Sequence, residues 1–282
     1  MTDALPGLCL RFWGVRGGLP APGPETLRYG GDTACVEVRC GGRLLILDAG
    51  SGLRRLGDAL MREMGCGAVR AEVLCSHTHL DHVCGLPFFG PLYQPGTRLR
   101  FWGREAPAGE ALAAVLGTTL SDPLMPDLLP RVRAGLEFVA FRPGDVLTPW
   151  PGLAIATAAM RHPGGAVGFR IEWAGKSIVY ATDTEHDPSA PPDPALLQLA
   201  RGADILIYDA TYTDEEYPGH AGWGHSTWQE GVRLANAAGV GRLVLFHHTP
   251  SRSDADLDGI EAAADASRPG TRAAREGMEL VA

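Results

Sequence analysis

Three histidines and an aspartate stand within six consecutive residues, His77-Thr78-His79-Leu80-Asp81-His82. No other feature constrains the fold of this chain so tightly. Upstream lies Ala71-Glu72-Val73-Leu74-Cys75-Ser76, a short apolar run of strand character, and downstream come Gly85 and Pro87. The cluster therefore sits where a strand ends and the chain turns. Side chains alternate faces along a strand, so only a loop lets all four polar groups converge on one point. Imidazole nitrogens with a carboxylate suit Zn²⁺, Mn²⁺ or Fe²⁺ better than the all-oxygen shell that Ca²⁺ prefers. The plain alternative, a polar surface loop, needs three of nine histidines in 282 residues to crowd together by chance.

A chain of 282 residues can bury a full core. With 45% hydrophobic and 21% charged residues it has the composition of a soluble globular protein. It contains no run of eighteen apolar residues, so no membrane span is expected. The first residues, Met1-Thr2-Asp3-Ala4-Leu5-Pro6-Gly7, lack a basic n-region and an apolar h-region, so no secretion signal is expected. Cys9, Cys35, Cys40, Cys66, Cys75 and Cys84 form no CxxC pair and read as reduced thiols of a cytoplasmic protein. The net charge of −8 argues against a protein that grips a long nucleic acid, but leaves room for a small anion held by metal ions. Lys176 is the only lysine, and the arginine bias reads as compositional first and as phosphate recognition second.

Strands are expected at 8–13, 34–40, 44–48, 71–76, 99–102, 136–141, 153–159, 166–173, 177–181, 205–209 and 243–246. Gly41-Gly42 turns the second of these into the third as a β-hairpin. Helices are expected from about Leu53 to Met64, from Glu110 to Leu120 and from Trp228 to Ala238, the last opened by a capping box at Ser226-Thr227-Trp228-Gln229. The glycines of Asp48-Ala49-Gly50-Ser51-Gly52 match neither GxGxxG nor GxxxxGK[ST], so a nucleotide-cofactor fold is not expected. No linker, repeat or low-complexity tract divides the chain, which reads as a single α/β domain over 1–282.

The positions of the polar residues are informative. His77, His162, Asp183, Asp209 and His247 each fall at or just past an expected strand end, where layered α/β folds collect their sites. His77, His79, Asp81, His82, His162, Asp183 and His247 supply seven N/O ligands, enough for two metal ions if one carboxylate bridges them. A turn histidine ahead of Pro163 and an aspartate satisfying turn amides remain the alternatives for His162 and Asp183. His186 and His220 lack a strand-end placement and read as surface histidines. His247 and His248 are adjacent, so only one of them can face the metals.

These residues resemble the metallo-β-lactamase fold, and within it the phosphodiesterase branch typified by tRNase Z. The HxHxDH box matches His77, His79, Asp81 and His82. The resemblance implies that the first two histidines hold one metal, and the aspartate and third histidine the other. His162, a bridging Asp183 and His247 complete the set, with His247 favoured over His248. Gly224-His225-Ser226-Thr227 is similar to the branch's GHST segment, whose histidine donates a proton to the leaving oxygen. Tyr208-Asp209-Ala210-Thr211 is similar to its HEAT segment, with Asp209 in place of glutamate and Tyr208 in place of histidine. The implied architecture is a four-layer αββα sandwich.

Departures narrow the chemistry. Asp183 stands where the zinc β-lactamases carry a thiolate, and His79 where the redox diiron relatives carry glutamate. The long basic insertion with which tRNase Z clamps tRNA is not recognisable. The expected activity is thus a dinuclear metal-dependent phosphodiesterase on a small or cyclic phosphodiester, with a water activated between two cations as the attacking group. Zn²⁺ is the expected metal and Mn²⁺ or Fe²⁺ the alternatives. Asp81, His225 and Asp209 are the candidate catalytic residues, His225 protonating the leaving alkoxide and Asp209 orienting the His225 imidazole. A lactone or thioester hydrolase of the same fold is the rival, and a non-catalytic metal-binding protein the more distant one. The expected partner is a small-molecule substrate, neither a long nucleic acid nor a membrane, and a homodimer stays open.

Overall fold

A computed structural model of the protein describes residues 7–63, 65, 67–105 and 112–282. The expectations for residues 1–6, for Cys66 and for the helix ends at Met64 and Glu110 lie outside those residues. Gly41 and Gly42 both take positive φ, 57° and 81°, and close the expected hairpin between β2 (Cys35–Cys40) and β3 (Arg43–Leu47). Two such φ angles at adjacent residues favour glycine, because a Cβ there meets the backbone. β1 (Leu8–Gly14) pairs antiparallel with β2, while β4 (Arg70–Leu74), β5 (Arg98–Arg104) and β6 (Gly135–Phe141) continue from β3 in parallel.

The second sheet repeats this mixture. β7 (Val146–Leu147), β8 (Leu153–Met160), β9 (Ala166–Trp173) and β10 (Lys176–Ala181) run antiparallel. β11 (Ile205–Asp209), β12 (Arg242–Phe246) and β13 (Arg272–Ala273) then add in parallel. β14 (Glu279–Val281) returns to the first sheet beside β1, so among the described residues each sheet has seven strands.

Period-two alternation decides the layers. Phe12, Val36, Leu45 and Leu47 from one sheet meet Phe169, Ile178, Ile207 and Phe246 from the other in a core between the sheets. On the outer face of the first sheet, α1 (Gly52–Glu63) buries Leu53, Leu56 and Leu60 against Ile46 and Val73. α2 (Leu112–Thr118) adds Leu116 to that face. The outer face of the second sheet is covered by α3 (Pro194–Ala200), α4 (Trp228–Ala238) and α5 (Asp254–Ser267), through Leu196, Leu199, Leu234 and Leu257. The result is the expected αββα sandwich.

One sequence expectation is corrected here. α4 is capped by Thr227, whose hydroxyl accepts from the Glu230 amide at 3.1 Å, rather than by Ser226. The Ser226 hydroxyl is engaged elsewhere, with Tyr208 Oη at 2.8 Å and His186 Nδ1 at 2.9 Å. α3, α5, β7, β13 and β14 were not legible from pattern. Among the described residues, no helix is long and apolar enough to cross a membrane.

Candidate metal centre

Strand ends from both sheets meet at one edge of the sandwich. Past β3, Asp48 takes φ 59° and is fully buried, and its carboxylate organises the turn after β4. Oδ1 accepts from the Ser76 amide at 2.7 Å; Oδ2 accepts from the Ser76 hydroxyl at 2.7 Å and from the Tyr180 hydroxyl at 2.8 Å. His82 Nδ1–H donates to the same Oδ2 at 2.8 Å, leaving Nε2 to face the site. Burial pulls the His82 imidazole down, but Asp183 and Asp48 raise it well above the ordinary histidine value. That environment asks for positive charge at Nε2, which a proton or a cation can supply.

Asp183 lies at the centre, in a left-handed backbone conformation of φ 54°, with Thr182 Oγ1 donating to Oδ2 at 2.6 Å. Its two oxygens face different partners. Oδ2 is 3.3 Å from His82 Nε2 and 3.4 Å from His247 Nε2. Oδ1 is 3.7 Å from His77 Nε2 and 3.9 Å from His162 Nε2. Burial alone would raise the Asp183 pKa, but His247, His82 and His77 hold it well below the carboxylate range.

Two ligand groups form around these oxygens. His77, His79 and His162 bring nitrogens together on one side; Asp81, His82 and His247 meet on the other. His162 Nδ1–H donates to the Gly224 carbonyl at 2.8 Å, so Nε2 carries its lone pair towards His79 Nδ1, 3.0 Å away. The buried His77 Nε2 finds no hydrogen-bond partner among the described residues. In the second group, His247 Nδ1 meets the Thr211 hydroxyl at 3.1 Å, and that hydroxyl donates to Asp209 Oδ1 at 2.7 Å. His247 Nε2 then points at Asp81 Oδ2, 3.3 Å away. Asp81 Oδ2 also accepts from the Gly18 amide at 2.7 Å. Lone pairs converging on lone pairs, with an orphaned buried nitrogen among them, fit a pair of divalent cations.

His225 stands beside Asp183, at 3.9 Å from Oδ1, and its Nδ1–H donates to Asp209 Oδ2 at 2.9 Å. Asp209 is fully buried and also accepts from the Thr211 and Thr184 amides. Burial works against charge on His225, yet Asp209, Asp183 and Asp81 raise its pKa to about 9. Among the described residues its Nε2 has no hydrogen-bond partner.

The expected site residues are thus brought together, all nine of them, and three histidines need correction or placement. His186 is half-buried, bonded to Ser226 and 4.4 Å from the Tyr217 ring, rather than on the surface. His220 is also half-buried, stacked on Tyr212 at 4.2 Å. Tyr212 in turn lies edge-on to His225 at 6.2 Å, so both histidines belong to the wall beside the centre. Their burial comes from a loop folding back on itself, which strand-end counting does not register. His248 turns away: its Nε2–H donates to the Ala274 carbonyl at 3.0 Å, and burial pulls its pKa down to about 3.

Sequence reasoning missed Asp48, Glu185 and Gly17. Asp48 shares the strand-end position of the other site residues, and that signal was available. Glu185 Oε1 accepts from the Gly222 amide at 2.6 Å and Oε2 from the Gly224 amide at 2.9 Å, fixing the loop that orients His162 and carries His225. A Cβ on Gly17 would lie 2.1 Å from His247 Cε1, so only glycine lets this loop pass the ring.

The family described as beta-lactamase superfamily domain matches residues 43–248. Ribonuclease Z of Mycobacterium marinum is 28% identical over 258 residues, covering 83% of this chain and 84% of that protein. Ribonuclease Z of Pseudomonas putida is 30% identical over 288 residues, covering 84% and 83%. Among solved structures, the metallo-beta-lactamase fold protein YhfI of Bacillus subtilis superposes with a TM-score of 0.72 at 20% identity, over 98% of this chain and 99% of that one. The chain belongs to the beta-lactamase superfamily, in its ribonuclease Z-like branch. It is a metal-dependent hydrolase.

Proposed function

We propose that the protein is a phosphodiesterase acting on a small or cyclic phosphodiester in the cytoplasm. His77, His79 and His162 would hold one divalent cation, Asp81, His82 and His247 a second, and Asp183 would bridge them. The observation that carries this reading is the division of Asp183, whose Oδ1 faces one ligand group and whose Oδ2 faces the other. Two cations held there would supply acidified water and neutralise charge developing on the phosphoryl oxygens.

The chain's own residues do the rest. Gly18 N–H and Asp48 fix Asp81 and His82, so neither group has to reorganise during the reaction. His225, held by Asp209, which raises its pKa, presents the Nε2 proton to the leaving alkoxide. Asp209 keeps the Nδ1 proton in place and stabilises the imidazolium. Tyr212 and the His162 ring flank this position. A net charge of −8 supports a small substrate over a long polyanion.

The test is turnover by the Zn- and Mn-loaded protein on bis(p-nitrophenyl) phosphate, cyclic nucleotides, linear dinucleotides, lactones and thioesters. Hydrolysis of cyclic or dinucleotide phosphodiesters without lactones is the expected result. Turnover of lactones or thioesters with none on phosphodiesters would overturn the reading. Activity confined to long RNA would overturn the assignment of substrate size.

A further inference from the structure

The edge of the first sheet opposite the metal centre carries an arrangement that the hydrolase chemistry does not use. Arg70 and Arg98 are direct neighbours in the parallel pairing of β4 with β5. Leu44 pairs with Ala71 across β3 and β4, which puts Arg43 level with Arg70. Three exposed arginines therefore stand in one row on three adjacent strands, about 5 Å apart. Among the described residues, none of the three makes an ion pair or a side-chain hydrogen bond to a partner. Like charges directly opposed across strands are destabilising unless something answers them.

These arginines line a groove of about 950 Å³. The acids in the groove are already engaged. Glu137 accepts from Arg100 Nε at 2.9 Å, and Glu72 accepts from Trp102 Nε1 at 2.6 Å and from Arg100 Nη1 at 3.5 Å. Glu63 pairs with Arg39 at 3.3 Å. The row thus keeps three positive charges in a chain whose net charge is −8. A second observation is independent of charge. Trp150, in the same wall and 8% exposed, lies under the Arg43 guanidinium at 5.3 Å from the ring centroid. Its buried Nε1–H has no acceptor among the described residues.

We propose that this groove is a second anion site, separate from the metal centre, which takes a linear polyphosphate. A row of guanidinium forks about 10 Å long matches a chain of phosphates better than one isolated phosphate. The N-terminal ends of β3 to β5 lie about 20 Å from the His77 turn, judged from the strand rise, so a ligand here does not reach the cations. The site is for binding and involves no bond change.

The experiment titrates the metal-loaded protein with inorganic tripolyphosphate and, separately, with ATP, each as its Mg²⁺ complex, by calorimetry. Arg70→Gln/Arg98→Gln and Arg43→Gln are the variants, and bis(p-nitrophenyl) phosphate hydrolysis is followed in parallel. The expected result is binding weakened about tenfold or more in the variants, with hydrolysis unchanged. Tighter binding of ATP than of tripolyphosphate would identify a nucleotide as the source of the phosphates; equal binding would identify the phosphate chain alone. Binding that is unchanged in the double variant, or that competes with the hydrolysed substrate, would place the anion at the metals and overturn the proposal. No binding by either probe would overturn it as well.

Discussion

Replacing Asp48 by asparagine tests how the protein prepares a ligand before any cation arrives. The backbone φ of 59° suits asparagine, so the change is confined to the carboxylate. If the new carbonyl keeps the Ser76 amide, the NH₂ group meets three donors: the Ser76 and Tyr180 hydroxyls and His82 Nδ1–H. The hydroxyls can rotate to accept. His82 can accept only by moving its proton to Nε2, where it competes with the cation. Loss of such an orienting partner costs about 10–100-fold in metal affinity, or about 1.4–2.7 kcal/mol. Equilibrium dialysis against graded chelator, with elemental analysis, would show one of two cations released at 10–100-fold higher free metal. The group of His77, His79 and His162, which Asp48 does not touch directly, should hold its own. Wild-type occupancy at every free-metal level would refute the claim that Asp48 sets the His82 tautomer.

Three further outcomes are expected. His225→Ala should lower turnover by about 10²–10⁴-fold on a phosphodiester with an alkyl leaving group but little on p-nitrophenyl esters, which need no proton; equal losses on both would remove His225 from the acid role. Gly17→Ala should displace the buried His247 ring and cost about 100-fold or more in activity; unchanged activity would show that the loop yields freely. Burial pushes the Cys40 thiol and the Tyr29 phenol up to about 12 from 9.0 and 10.0. The folded protein therefore holds more protons than the unfolded chain between about pH 9 and pH 12, and its stability should fall as pH rises through that window. Thermal melts between pH 8 and pH 11 check this, and Cys40→Ala should flatten the slope.

The central layers were legible because apolar strand runs stand out, alternating in Val36 to Cys40 and continuous in Ile205 to Tyr208. Strand ends then located His77, His162, Asp183, Asp209 and His247. The hub at Asp48 escaped because its partners, Ser76, His82 and Tyr180, are distant in sequence and its own surroundings look like a glycine-rich turn. His186 and His220 escaped for a similar reason: Ser226 and Tyr212 bury them only after the 212–226 loop has folded. Ser226 itself was misread as a cap, since Thr227 one residue later serves the helix equally well in sequence and Tyr208 claims the Ser226 hydroxyl in space. β14 was missed because Glu279–Val281 is too short to show a period, and only its pairing with β1 makes it a strand.

The central claim is that Asp183 divides its carboxylate between two cations. Anomalous diffraction from crystals of the Zn-loaded protein tests it most directly. Two peaks about 3.5–4 Å apart are expected, one among His77, His79 and His162, the other among Asp81, His82 and His247, with an Asp183 oxygen on each. A single peak, or Asp183 bound to only one metal through both oxygens, would contradict it.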